Sequence, residues 1–206
     1  MLDLLPQFLP AFFRGLAVNF YSAICGMLGG VLLGFAFALL RLAGGVGGAV
    51  ASGLVGLFRA TPTFVVMFFL VNVLPSTLSV GPLSMAMSPW LAVVLALIIY
   101  GSAYIADNAM EPIRELRKGS HRLALLFVMS LVRVFFVMVL SSGFGAAVGV
   151  IEATTITVRA VESLPQVSDR LLLIAVVIAM FTALFQTIYH LTNLARERLT
   201  AHLGTA

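Results

Sequence analysis

The sequence predicts an all-α membrane protein with about five transmembrane helices, on three observations. Of its 206 residues, 61% are hydrophobic and 10% charged, where a soluble domain carries about 25% charged residues. The mean hydropathy is +1.12. The apolar residues come in long unbroken runs, not in the alternation that a membrane β-barrel strand requires. The net charge of +4 is explained by basic residues at the cytoplasmic ends of spans, so nucleic acid is not expected as a partner. The single cysteine, Cys25, has no internal disulfide partner and reads as a small packing residue.

Residues 2–13 carry Pro6 and Pro10 and are too short to span, so they are expected to lie along the interface. The opening MLDLLPQFLP has no basic n-region and is not expected to be a cleaved signal peptide. The first span is placed at about 16–40. Within it Ser22, Gly26, Gly30, Gly34 and Ala38 follow one another at intervals of four, which sets them on one helix face. Small residues there admit a second helix, either within the subunit or in a larger assembly.

Arg41 and the glycine-rich turn 43–48 close that span. A second span, about 48–74, is interrupted at Arg59-Ala60-Thr61-Pro62. Proline loosens a helix, and a guanidinium at membrane depth must be buried in protein or face water. Residues 75–90, with three prolines and no charge, read as a loop with an interfacial helix, ending at Trp90 as an interfacial aromatic. The third span, about 91–110, carries Tyr100, Tyr104, Asp107 and Glu111 as one polar stripe. A dense basic cluster follows: Arg114, Arg117, Lys118, His121 and Arg122.

The apolar run 123–158 is too long for one span. Arg133 and the Ser141 to Gly145 break divide it into a helix on the cytoplasmic face and a fourth span at about 143–158, so the cytoplasmic loop covers about 111–142. Glu152, Thr154 and Thr155 would lie within that span. A charged loop, 159–170, precedes a fifth span at about 171–194. Counting Lys and Arg, one side holds Arg41, Arg114, Arg117, Lys118, Arg122, Arg133, Arg196 and Arg198, and the other Arg14, Arg159 and Arg170. Eight against three puts the C-terminus in the cytoplasm and the N-terminus outside, and only an odd number of spans closes that arrangement.

Several stretches together resemble the permease subunits of ABC importers for polar amino acids, the histidine/glutamine permease type. Arg59-Ala60-Thr61-Pro62 resembles that family's Arg-Gly-Thr-Pro. Ala103-Tyr104-Ile105-Ala106-Asp107 resembles its Ala-Tyr-x-Ala-Glu. Lys118-Gly119-Ser120 resembles the Lys-Gly-Gln that opens the coupling loop. Ile151 to Ile156 resembles the Lys-Asp-Thr-Ser-Leu stretch of the fourth span. The resemblance implies residues 1–206 as a single permease domain in a bacterial cytoplasmic (inner) membrane. It implies the partners too: an ATP-binding ABC subunit, a second permease subunit and an extracytoplasmic solute-binding protein. The coupling loop departs from the family pattern: Glu-Ala-Ala is replaced by Arg122-Leu123-Ala124, the later glycine by Val128, and the family's fourth-span lysine by Glu152. A divergent loop is easier to tolerate beside a standard one, which favours a heterodimer of permeases.

The substrate pathway is expected at Arg59, Tyr104, Asp107, Glu152, Thr154 and Thr155. The alternative for Arg59 is a structural ion pair with Asp107 or Glu152. Contact with the ATPase is expected at Arg117, Lys118, Gly119, His121, Arg122 and Leu125, on a short helix after Gly119; the alternative is an anchor to lipid headgroups. No phosphate-binding loop, HExxH or intramembrane protease motif is present, so the chain is not expected to be an enzyme or to need a cofactor or metal. The competing reading is a non-transporting scaffold subunit of a transport complex.

Overall fold

The computed structural model describes residues 5–74, 77–80, 83–119 and 122–204. Helix α1 (Leu5–Ala43) is followed by α2 (Gly45–Ala60), α3 (Thr63–Val73), a two-stranded antiparallel hairpin of β1 (Thr77–Val80) and β2 (Leu83–Ala86), α4 (Pro89–Asn108), α5 (Met110–Arg117), α6 (Arg122–Ser142), a 3-10 turn at Gly143–Val148, α7 (Ala153–Ser163) and α8 (Val167–Gly204). Apart from the hairpin, the protein is all-α. Four helical stretches are long and apolar enough to cross a membrane, and the bent pair α2–α3 makes a fifth if it counts as one span.

The glycine stripe builds the centre. An added Cβ at Gly26 would lie 2.6 Å from Leu97 Cβ, one at Gly30 would lie 3.2 Å from the Gly101 backbone, and one at Gly34 would lie 2.7 Å from Ile105 Cβ and 2.8 Å from the Ser102 carbonyl oxygen. The stripe is thus a packing seam within the subunit, and the paired numbers rise together, so α1 and α4 run parallel. Ser22 continues the stripe by accepting a 3.0 Å hydrogen bond from Trp90 Nε1, while Tyr21 stacks on the indole ring.

Helix α6 runs the opposite way. Phe127 meets Phe35, while Met138 reaches Gly26 and Gly101. Helix α8 is again parallel to α1: Phe181 packs on Phe12 and Phe185 on Phe136, and residues 188–193 share a cavity wall with residues 126–133. Helices α1, α4 and α8 therefore run one way through the bundle and α6 the other.

Several boundaries differ from the sequence reading. Residues from Leu5 onward do not lie apart from the first span. They open α1, where Phe8 and Phe12 are buried against Leu173 and Val177 of α8, and Pro10 lies inside the helix, in its second turn. The second span is two helices bent by 95°: Thr61 and Pro62 are extended (ψ 120° and 132°), as expected of a proline and the residue before it. No interfacial helix is found among the described residues of 75–88; the hairpin stands there, joined to α4 by Ser88, whose hydroxyl caps Leu91 N–H at 3.1 Å.

The largest difference concerns the fourth apolar helix. It is Leu123–Val148, counting the 3-10 turn, not 143–158. The region 143–158 contains a 3-10 turn, an extended link and the first half of the short α7. A mid-helix arginine read as a boundary; in the fold Arg133 faces a groove, and the real break is Gly149, whose φ of 94° suits glycine. The intervening loop contracts accordingly. Only residues 118–121 separate α5 from α6, and the short helix precedes Gly119 (φ 86°) instead of following it.

Candidate functional site

The predicted site residues fall into three places. At the end of the bundle where α1 and α4 finish, Asp107 sits between two arginines. Arg41, unremarked as its partner in the sequence, donates to Asp107 Oδ1 at 2.7 Å and to the Ala106 carbonyl at 3.3 Å. Arg59 donates to Oδ2 at 3.2 Å, but its side chain is 71% exposed. Arg59 is therefore paired, with Asp107 and not Glu152, yet it is not buried at membrane depth: α2 ends beside the end of α4.

Because Arg41 is only 19% exposed and Arg59 71%, the burial-weighted contribution lies with Arg41. Asp107→Ala should cost about 1–3 kcal/mol, since it leaves two guanidinium groups facing each other, whereas Arg59→Ala should cost less than about 1 kcal/mol. Thermal unfolding of the purified variants checks the order Asp107, Arg41, Arg59; equal losses would contradict the asymmetry.

The second place is buried at the opposite end. Glu152, 1% exposed, caps α7. Its carboxylate accepts from Thr154 N and Thr155 N at 2.9 Å each and from Asn19 Nδ2 at 2.9 Å. The same Asn19 amide donates to Ser142 Oγ at 2.9 Å, and its oxygen accepts from Ala153 N at 3.2 Å. The Thr155 hydroxyl donates to Val150 O at 2.6 Å. Thr154 contributes a backbone N–H and no side-chain bond among the described residues. This knot ties α1, α6 and α7 together and is filled by its own hydrogen bonds, so it forms a structural joint. Asn19 was missed in the sequence; a lone amide inside an apolar span was the available signal.

The third place is a cavity of about 460 Å³ between α6 and α8, within the size range of small-molecule sites. Tyr104 is the only residue predicted for the pathway that lines it. Arg133, Ser130, Tyr189, Thr192 and Asn193 supply the other polar groups, and Phe136 and Phe185 are among the apolar walls. A second cavity shares Leu140, Phe185 and Tyr189 and continues along α8. Arg133 was assigned to a cytoplasmic face in the sequence; it stands midway along α6, about 16 Å from that helix's first residue at 1.5 Å per residue.

On α5, Glu111 pairs with Arg114, and Glu115 with Lys118 at 2.8 Å. The Glu115 hydrogen bond and charge raise the pKa of the exposed Lys118 above 10.5, so Lys118 stays cationic at neutral pH. Arg117 and Gly119 are exposed beside it, and Leu125 is half-buried in the first turn of α6. His121 and the Arg122 side chain lie outside the described residues. Among the described residues, no cluster of His, Cys, Asp and Glu could hold a metal ion.

A crystal structure of an amino acid ABC transporter with histidines superposes with a TM-score of 0.74, covering 94% of this chain and 96% of that one, at 21% identity. The chain has the fold of an amino acid ABC transporter. The sequence comparison points the same way. The chain is 25% identical over 112 residues to the glutamine transport system permease protein GlnP of Escherichia coli K12, and equally to that of Shigella flexneri. The match covers 54% of this chain, and the chain spans about half the length (49%) of the curated relatives it matches. No protein-family model matches. Both comparisons agree with the likeness drawn from the motifs.

Proposed function

We propose that this chain is the transmembrane permease subunit of an ATP-driven importer for an amino acid or similar small polar solute, seated in a bacterial cytoplasmic membrane. The observation that carries the reading is the transporter fold over 94% of the chain. Energy comes from a separate ATP-binding subunit, and solute from an extracytoplasmic binding protein. The exposed α5 and the α5–α6 turn, with Arg117, Lys118 and Gly119, form the surface for the ATPase. A second permease completes the pathway, and a different chain is favoured over an identical copy.

One observation favours the scaffold reading: only residues 118–121 separate α5 from α6, so the short helix expected after Gly119 does not stand apart from α6 and contact with an ATPase falls to α5. Uptake decides between them. Cells lacking this chain should lose import of the solute, and the reconstituted complex should show solute-stimulated ATP hydrolysis that Arg122→Glu lowers. Unchanged uptake without the chain would leave it a scaffold.

The orientation rests on charge. In the folded bundle Arg41, Arg59, Arg114, Arg117, Lys118, Arg122, Arg196 and Arg198 gather at one end, Arg14, Arg159 and Arg170 at the other, and Arg133 lies between. The ratio is again eight to three, with Arg59 in the place first given to Arg133, and puts α5 in the cytoplasm. In a Cys25→Ser background, Gln166→Cys should react with a membrane-impermeant maleimide in intact cells and Lys118→Cys only after permeabilisation; the reverse pattern would invert the topology.

A further inference from the structure

The α6–α8 cavity contains a polar set of one kind. Arg133 has no hydrogen bond or ion pair to another described residue, although Arg41, Arg59 and Arg114 each have a carboxylate. No acid is among the described residues that line the cavity. The Ser130 and Thr192 hydroxyls are committed to the helix carbonyls of Phe127 and Ile188 at 2.7 and 2.8 Å. The uncommitted donors are therefore the Arg133 guanidinium, the Tyr104 and Tyr189 hydroxyls and the Asn193 amide. An uncompensated guanidinium within a membrane helix is costly and marks a ligand or a partner.

A second copy of this chain offers no counter-ion at that depth. The protein has eight acids: Asp3, Asp107, Glu111, Glu115, Glu152, Glu162, Asp169 and Glu197. Asp107 and Glu152 are occupied by their own partners, and of the other described acids Glu111, Glu115, Glu162 and Glu197 lie outside the apolar spans and Asp169 in the first turn of the last one. A phospholipid headgroup is disfavoured by depth, since Arg133 is about half the bilayer core from the end of α6.

We infer that this cavity binds an organic carboxylate with an apolar body, the carboxylate on Arg133 and Tyr104 and the body against Phe136 and Phe185. A guanidinium meets a carboxylate with two parallel N–H···O bonds, and a slot walled by aromatic rings favours an aryl or alkyl chain over a polar one. With no acid in the cavity, an ammonium group on the ligand gains nothing, so the selected class is the anion without a required amine. This ligand is distinct from the small polar solute of the importer reading, and its binding does not need the ATPase.

The test uses the full chain in phosphatidylcholine nanodiscs, with 3-phenylpropionate and 3-phenylpropylamine as paired probes. Phenylpropionate should bind and the amine should not. Arg133→Gln should weaken phenylpropionate binding about ten- to hundredfold, Arg133→Lys should retain part of it, and Tyr104→Phe should weaken it several-fold. Equal binding of both probes, or full affinity in the soluble, folded Tyr104→Phe and Arg133→Gln proteins, would overturn the inference. Discs containing phosphatidylglycerol provide the lipid arm: if that lipid abolishes phenylpropionate binding in the wild type through Arg133, the site belongs to a headgroup and the inference falls. Binding that persists without any associated ATPase would separate failure of the importer reading from failure of this one.

Discussion

Gly34→Leu should prevent accumulation of folded protein. Its Cβ alone would lie 2.8 Å from the Ser102 carbonyl oxygen and 2.7 Å from Ile105 Cβ. The first of these is backbone, so the clash is relieved only by moving α1 off α4. Those two helices pack together more extensively than any other pair, with Ala38, Leu97, Ser102, Ile105 and Ala106 all fully enclosed. In a bilayer, helices associate through close packing of small residues and not through hydrophobic transfer, so the lost contact has no substitute. Overpacking costs about 1–3 kcal/mol even where neighbours can shift; here about 3 kcal/mol or more is expected. Gly30→Ala, at 3.2 Å from the Gly101 backbone, should fall between. Gly53, with open space around it, is the control: Gly53→Ala should be neutral. Size-exclusion profiles and thermal unfolding in detergent measure all three, and equal behaviour of Gly34 and Gly53 variants would refute the α1–α4 seam.

Disrupting the Asn19–Glu152 knot should rank second. Asn19→Leu leaves the Ala153 N–H and one carboxylate oxygen of Glu152 short of a partner in a buried site, which should cost about 2–4 kcal/mol. Glu152→Gln is nearly isosteric but must point an NH₂ group at Thr155 N–H or at the Thr154 N–H and Asn19 amide pair, all of them donors. It should cost about 2–3 kcal/mol. Thr154→Ala should be close to neutral, because that residue serves through its backbone. A drop in melting temperature for Thr154→Ala matching that of Glu152→Gln would show that the side chains, not the cap, hold the turn.

The all-α membrane class was legible from composition, and the small-residue face of α1 from its spacing of four, because a helix converts a sequence interval directly into a packing face. The Arg59–Asp107 pair was legible as one of two choices. Arg41 was taken only as a span end, since the parallel arrangement of α1 and α4 that brings it to Asp107 is a tertiary fact. Arg133 was misassigned for a physical reason: charge in a long apolar run reads as a boundary unless the groove that receives it is known. That error also moved the start of the fourth helix from 123 to 143 and lengthened the loop around α5. Glu152 and the threonines looked like pathway residues because polar groups in apolar sequence are costly; the cost is met by capping α7. Asn19 escaped notice because its partners lie more than 120 positions away.

The importer reading requires that α5 meet a nucleotide-binding subunit from the cytoplasm, and Leu116, exposed on that helix, is the place to ask. A photo-crosslinking amino acid at Leu116, activated in native membranes, should attach to a subunit carrying an ATP-binding loop, and the crosslink should change in yield when ATP hydrolysis is blocked. Crosslinks to lipid alone, with uptake of solute intact, would contradict the account.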